Sequence, residues 1–193
     1  MLNRMREWEP PAAWIKITTV DAHTGGEPFR VITGGYPELP GETILERRRY
    51  AREHLDHLRT MLMWEPRGHA DMYGCIVTPP VTPGADIGVL FMHNEGYSTM
   101  CGHGIIGIVK VALETGLLPM ASTARLETAG AGSAAERVVR IDTPAGLVTA
   151  HARILGGQVT SVAFHNVPSF VLALDETVHV PGLGDVRYDI AFG

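Results

Sequence analysis

An apolar helix places the strongest limit on what this 193-residue chain can fold into. Residues 105–113 read Ile-Ile-Gly-Ile-Val-Lys-Val-Ala-Leu, and Lys110 is the one charged side chain among them. A helix that is apolar on every side is normally buried on every side. We therefore expect the rest of the chain to surround it. Gly102, Gly104 and Gly107 lower its helix propensity, which indicates that another backbone or a ligand approaches closely.

Strand patterns supply the surrounding layer. Apolar or alternating runs, separated by turns rich in glycine and proline, predict strands at 14–20, 29–33, 72–78, 87–92, 137–143, 147–154, 159–166, 170–174 and 186–191. The first two flank a polar turn at 21–28 and suggest a hairpin. An amphipathic pattern predicts a second helix at 43–63, and 121–136 predicts a loop. The pattern is typical of an α+β domain, with a sheet wrapped round one central buried helix.

Composition excludes several classes of function. The net charge of −5 gives no electrostatic case for binding DNA or RNA. The arginine run 47–49 lies on a helical stretch with acidic neighbours, which favours a solvated face. No apolar run reaches transmembrane length, and the first residues lack the apolar core of a signal peptide. Two cysteines fit a reducing compartment, so we predict a cytoplasmic protein without a disulfide.

A cysteine directly precedes the apolar helix. Cys101 lies between the strand predicted at 87–92 and the helix, at a helix N-terminus. There, unpaired N–H groups and the helix dipole favour a thiolate and bind anions. One turn therefore offers a base or nucleophile beside a carboxylate pocket. A lone cysteine is more often a small buried hydrophobe, and we interpret Cys75, in an apolar strand, in that way.

Other polar residues leave alternatives open. His103 could cap the helix or contact a ligand, and His23 could organise its turn or face a cleft. His69 lies in a loop, where bracing the backbone is the simpler role. A zinc site would use Cys101, His103 and His93, but their spacing lacks a closed set of ligands. We therefore predict no metal site.

Four segments resemble the proline racemase family. They are residues 20–28 (VDAHTGGEP), 65–74 (EPRGHADMYG), 100–104 (MCGHG) and 189–193 (DIAFG). Long motifs in this order are specific, and the resemblance covers about 17–193. The family includes proline racemases, 4-hydroxyproline 2-epimerases and trans-3-hydroxy-L-proline dehydratases.

The resemblance implies the diaminopimelate-epimerase-like fold. That fold has two pseudo-symmetric α/β halves, each with a sheet wound round a central helix, and an active site between them. On it, residues 1–13 are an N-terminal extension and residues 14–183 are the first catalytic half-domain. Residues 184–193 begin the crossover to a second half that is largely missing from this chain.

The resemblance also implies a chemistry, the cofactor-independent removal of the Cα proton from a proline-type imino acid. Cys101 as thiolate would be the catalytic base, and the N–H groups of Gly102 and His103 would hold the substrate carboxylate. The His103 side chain would orient the ring, and Tyr73 would pack on it. Neither a metal nor pyridoxal phosphate is implied. In racemases and epimerases a second cysteine acts on the opposite face, whereas dehydratases typically have threonine at that position, which lies beyond Gly193.

Two segments distinguish the branches of the family. Residues 93–98 resemble the dehydratases, and residues 65–72 resemble racemases or dehydratases more than the 4-hydroxyproline epimerases. The prediction is therefore a lyase that dehydrates trans-3-hydroxy-L-proline to a pyrroline-2-carboxylate. The alternative is an isomerase, a proline racemase or hydroxyproline 2-epimerase; an inactive truncated chain that only binds ligand is an alternative of another class. The predicted partner is a small imino acid, with a homodimer as a further option and neither nucleic acid nor membrane.

Overall fold

The computed structural model describes residues 8–120 and 135–192. The start of the predicted N-terminal extension, most of the predicted loop 121–136 and Gly193 lie outside these residues. The elements are β1 (Thr18–Thr24), β2 (Glu27–Gly34), α1 (Ile44–His54), α2 (Asp56–Met63), β3 (Tyr73–Thr78), β4 (Ile87–His93), α3 (Gly102–Glu114), β5 (Ala135–Thr143), β6 (Gly146–Leu155), β7 (Gln158–His165), β8 (Phe170–Val180) and β9 (Gly184–Phe192).

The strands β1 to β7 form one sheet in chain order, and β8 pairs with β9 in a separate hairpin. The pairs β2–β3 and β4–β5 are parallel, while the other neighbours are antiparallel. A parallel pair needs a long crossover connection. Helices α1 and α2 lie in the first crossover and α3 lies in the second. The sheet curls so that both of its edge strands, β1 and β7, contact α3.

Helix α3 is the buried centre that the sequence predicts. Ile105, Ile108, Val109 and Ala112 are fully buried, and they belong to one core with apolar residues of β2 to β7. Lys110 reaches the surface, where its ammonium contacts the Glu114 carboxylate at 2.7 Å. The prediction of a sheet wrapped round one buried helix is therefore confirmed.

The helical glycines of α3 admit aromatic rings. A Cβ at Gly104 would lie 2.8 Å from the Phe29 ring and 2.9 Å from the Phe91 ring, and a Cβ at Gly107 would lie 2.9 Å from Phe29. The predicted close approach is real, and at these two glycines it is made by side chains of the core.

A second apolar layer covers the opposite face of the sheet. Ile44 of α1 and Leu62 of α2 pack there with Ile32, Ile76 and Leu90 from β2, β3 and β4. Because both faces of β4 are covered, its sequence is continuously apolar instead of alternating.

Two predicted boundaries are wrong. The helix predicted at 43–63 is two helices, and Leu55, with φ −124° and ψ 12°, caps both of them. Most of the predicted polar turn 21–28 is strand, because β1 and β2 meet in a two-residue turn. Gly25 and Gly26 form that turn with φ of 63° and 105°, which glycine adopts without steric cost.

The β8–β9 hairpin exposes much apolar surface. Its exposed large side chains include Phe170, Leu172, Leu174, Leu183 and Phe192. Exposed apolar patches of this kind are typical of surfaces that pack against another polypeptide. In the part of the chain that the structure describes, no helix is long and apolar enough to cross a membrane.

Candidate active site

Cys101 is the residue that starts α3. Its backbone is extended, with φ −147° and ψ 106°, and its carbonyl accepts the first helical hydrogen bond from the Ile105 N–H at 2.9 Å. The residue is only 6% exposed. The thiol therefore lies at the N-terminus of the buried helix, at the position that the sequence predicts.

Burial controls the ionisation of this thiol. It raises the pKa of Cys101 to about 11, and a hydrogen bond from the Gly104 N–H opposes only part of that rise. The expected thiolate is therefore not the form that the folded chain favours at neutral pH, because loss of solvation outweighs the helix terminus. Cys75 is fully buried in the apolar core, and burial raises its pKa further.

The His103 imidazole lies beside the thiol. Its Nδ1 is 3.4 Å from Cys101 Sγ and its Nε2 is 3.8 Å away. The β1–β2 hairpin fixes this residue, because the Thr24 hydroxyl donates to the His103 carbonyl at 3.0 Å and the Phe29 ring meets the imidazole at 5.9 Å. At these distances a proton can pass between sulfur and imidazole.

Tyr73 closes the cluster on another side. Its ring meets His103 edge-on at 5.0 Å and stacks on His93 at 5.2 Å. Burial raises the pKa of Tyr73, and a negative charge on Cys101 would raise it further. The structure thus brings Tyr73, Cys101 and His103 together. The sequence suggested His93 only as a possible zinc ligand, although it begins the segment 93–98 that resembles the dehydratases.

Gly102 begins α3 under strand β7. A Cβ on it would lie 3.3 Å from Cζ of Phe164. The N–H groups in the first turn of a helix have no acceptor within the helix, so they can bind an anion. Gly102 and His103 occupy that turn, next to the thiol.

Other predicted residues serve the loops around the site. His23 Nδ1 accepts a hydrogen bond from the Gly26 N–H at 3.3 Å, and His69 Nδ1 lies 2.6 Å from the Ala70 carbonyl. These contacts fit the bracing roles considered above. Among residues 8–120 and 135–192, no three His, Cys, Asp or Glu side chains converge as metal ligands.

Comparison with known proteins identifies one family. A sequence model described as "Proline racemase" matches residues 19–193. A trans-3-hydroxy-L-proline dehydratase of Bacillus thuringiensis subsp. konkukian is 53% identical over 91% of this chain and 49% of its own length. A mouse trans-L-3-hydroxyproline dehydratase is 51% identical over 92% of this chain and 48% of its own length. The chain spans about half the length of the curated relatives it matches.

Solved structures show the same fold. A hydroxyproline epimerase from Agrobacterium vitis, with trans-4-hydroxy-L-proline bound, is 29% identical with a TM-score of 0.75. A probable proline racemase from Agrobacterium radiobacter K84, with carbonate bound, is 30% identical with a TM-score of 0.76. They align with 91% of this chain and with 48% and 49% of their own chains. The predicted fold class is confirmed.

Proposed function

Since this chain belongs to the proline racemase family, we propose that it forms part of an active site that removes the Cα proton of a proline-type imino acid. The substrate is trans-3-hydroxy-L-proline and the product is a pyrroline-2-carboxylate. The contact of 3.4 Å between Cys101 Sγ and His103 Nδ1, at the N-terminus of a buried helix, carries this proposal.

The difficulty of the reaction is a weakly acidic C–H next to a carboxylate. The N–H groups of Gly102 and His103 hold that carboxylate, and the helix terminus offsets its negative charge. Cys101 acts as the base after its proton has passed to the His103 imidazole. A thiolate with a pKa of about 11 is a stronger base toward carbon than an ordinary cysteine thiolate.

Dehydration then takes place as a single elimination step. The Cys101 thiolate takes the Cα proton, and the pair of the Cα–H bond forms a double bond between Cα and C3 while the C3–O bond breaks. The leaving hydroxide takes the proton held by the His103 imidazolium and departs as water. The resulting enamine tautomerises to the pyrroline-2-carboxylate. Tyr73 packs against the ring of the substrate during these steps. The names of relatives about 50% identical support this reaction.

A proline racemase is the second candidate. The solved neighbours favour it, because they are a hydroxyproline epimerase and a probable proline racemase. Their identity to this chain, near 30%, is well below that of the curated dehydratases, so dehydration is the better proposal.

The proposal extends to the organisation of the protein. Residues 14–183 are a first half-domain, and residues 184–193 lead toward a second one that completes the cleft. The enzyme is cytoplasmic and uses neither metal nor pyridoxal phosphate, and the 193-residue chain aggregates or dimerises. The exposed apolar hairpin supports association; a 193-residue chain that is a clean monomer with a sharp cooperative melt would argue against it.

Proton NMR in deuterated water tests the reaction. The product of the complete coding sequence, and this 193-residue chain, are incubated with trans-3-hydroxy-L-proline, L-proline and trans-4-hydroxy-L-proline. We expect loss of the 3-hydroxy substrate and growth of pyrroline carboxylate signals. Deuterium at Cα of proline with loss of optical purity would establish the racemase instead.

Two cysteine variants make the test specific. Cys101→Ala should lower turnover by two or more orders of magnitude, because it removes the base. Cys75→Ala is the matched control, since its thiol is buried in the core and contributes no proton transfer. If the complete protein acts on none of these substrates, or if Cys101→Ala stays active, the proposal fails.

A further inference from the structure

His93 lies directly opposite Tyr73 in the antiparallel β3–β4 pair. The two rings stack with centroids 5.2 Å apart and planes inclined by 29°. Side chains directly opposite in an antiparallel pair are the nearest neighbours on that face of a sheet. The strand register therefore sets this ring contact, which does not depend on a flexible loop.

The His93 residue is held at both its backbone and its ring. Its N–H donates to the Gly96 carbonyl at 2.9 Å, and its own carbonyl accepts from Arg59 at 2.8 Å. Its Nδ1 accepts the Glu95 N–H at 3.3 Å, so the neutral ring carries its proton on Nε2. The first two bonds hold the backbone of His93, and the bond to Nδ1 limits rotation of the imidazole.

Helix α2 clamps the turn that follows His93. Arg59, 6% exposed, donates to both Asp56 carboxylate oxygens at 2.6 and 2.8 Å and also to the Asn94 carbonyl. The Trp64 indole donates to the same carbonyl at 3.0 Å. The Asn94 amide in turn donates to the Met63 carbonyl at 2.8 Å. These hydrogen bonds hold the short turn after His93 and so fix the backbone that carries the His93 ring.

A chain of ring contacts connects His93 to the Cys101 thiol. His93 stacks on Tyr73, Tyr73 meets the His103 imidazole edge-on with planes at 80°, and His103 Nδ1 lies 3.4 Å from Sγ of Cys101. The Phe29 ring bounds the same imidazole with planes at 83°. If Tyr73 tilts, one of the two walls around His103 moves, and with it the nitrogen that faces the sulfur.

We propose that His93 is a positioning residue that keeps the His103 imidazole against the Cys101 thiol by fixing the ring of Tyr73. Its meaning for catalysis rests on the proposed function. Its effect on the thiol does not, because alkylation of Cys101 can be measured without any substrate.

The first test is the pH dependence of Cys101 alkylation by iodoacetamide, read by peptide mass spectrometry on the folded protein. The rate follows the thiolate fraction, so it reports how well His103 supports the thiolate. His93→Ala removes the ring that stacks on Tyr73 and should slow labelling at pH 8 at least threefold. His93→Phe keeps a flat ring and should stay within 1.5-fold of the wild type. His93→Leu fills the space without a flat ring and should behave like alanine.

A matched control and a second background complete the design. His54→Ala removes another histidine that packs on a tyrosine, Tyr50 at 4.5 Å on α1, and should leave labelling unchanged. In a His103→Ala background, His93→Ala should have no further effect, since a residue that acts through His103 needs it present. In the complete enzyme, His93→Ala should lower kcat about tenfold and change KM less than twofold, and His93→Phe should restore kcat.

Three results would overturn the proposal: labelling of His93→Ala that matches the wild type, a His93→Phe protein that behaves like His93→Ala, or an equal effect of His93→Ala without His103. Failure of the proposed function is separate. A wild-type protein that turns over no imino acid refutes that function, while the labelling curves still decide the role of His93.

Discussion

Gly104 lies in the first turn of α3, where buried aromatic rings pack against the helix beside the site. A Cβ there would lie 2.8 Å from the Phe29 ring, 2.9 Å from the Phe91 ring and 3.0 Å from Cys101 Sγ. Both phenylalanines are fully buried. Because neither ring can swing into solvent, we predict that Gly104→Ala destabilises the protein.

The magnitude follows from two opposing effects. Overpacking a well-packed core costs about 1–3 kcal/mol, whereas alanine is favoured over glycine inside a helix by about 1 kcal/mol. Gly102→Ala is the matched control, because it also replaces a glycine in the first turn of α3 with the better helix former alanine. Its Cβ would make one milder contact, 3.3 Å from the Phe164 ring. The difference between the two variants should therefore be about 1–3 kcal/mol, and each kcal/mol lowers Tm by roughly 2–4 °C in a chain of this size.

Urea unfolding followed by circular dichroism measures this difference. Gly104→Ala should unfold at lower urea than Gly102→Ala, with the same dependence of free energy on urea for both. If Gly104→Ala is as stable as the control, then the rings relax without cost. The tight packing of rings against this turn would not be what requires glycine.

Three further predictions concern stability. Burial raises the pKa of Cys101 in the folded protein to about 11, above the unfolded value of about 8.5. The stability that the neutral thiol contributes is therefore full below about pH 8.5 and is lost as pH rises toward about 11. Urea titrations from pH 7 to 10.5 should show this fall in stability, and Cys101→Ala should make the fall smaller. Asp142→Asn should cost about 1–3 kcal/mol at pH 7, because the carboxylate accepts two backbone N–H groups of the β3–β4 connection at 2.7 and 2.9 Å. Burial raises the pKa of Asp142, but the hydrogen bonds outweigh burial and lower that pKa overall. The stability that the carboxylate contributes is therefore lost as pH falls below about 4. Asp142→Asn should lose less stability than the wild type in an acid titration. Arg59→Lys keeps the charge but loses the paired bonds to Asp56, and should cost about 1.5–3 kcal/mol in a urea titration, whereas an unchanged midpoint would contradict the clamp.

The spacing of apolar residues was sufficient to predict the central helix and several of the strands. The apolar run 105–113 predicts the central helix, because no other placement removes all its sides from water. The alternation and turns of the later strands likewise predict β5 to β7. The break at Leu55 could not be predicted, since the apolar stripe continues across it and neither glycine nor proline marks it. The helix ends there through its cap geometry, which periodicity does not record.

The site divides in the same way. Cys101 and His103 are two residues apart, so a helix start brings them together and sequence can place both. Tyr73 came from the family resemblance, while its contact with His93 depends on the β3–β4 register. Thr24 reaches the His103 carbonyl from an element 79 residues away. Such contacts require the pairing of strands, which single-sequence patterns leave undetermined.

The Cys101 thiol shows why the position of a residue in a helix is not enough to assign its chemistry. A helix N-terminus alone favours a thiolate, but the packing that buries α3 also buries the sulfur and raises its pKa to about 11. At pH 7 very little of the thiol would then be ionised if its proton had to go to water. A base for a weakly acidic C–H gains strength from the same burial. In the proposed reaction the imidazole at 3.4 Å reconciles the two effects, because a proton that passes to His103 creates a thiolate and an imidazolium that attract each other. In that reaction burial would supply the strength of the base and His103 its population, while the Thr24 hydroxyl and the Phe29 and Tyr73 rings hold the imidazole in place.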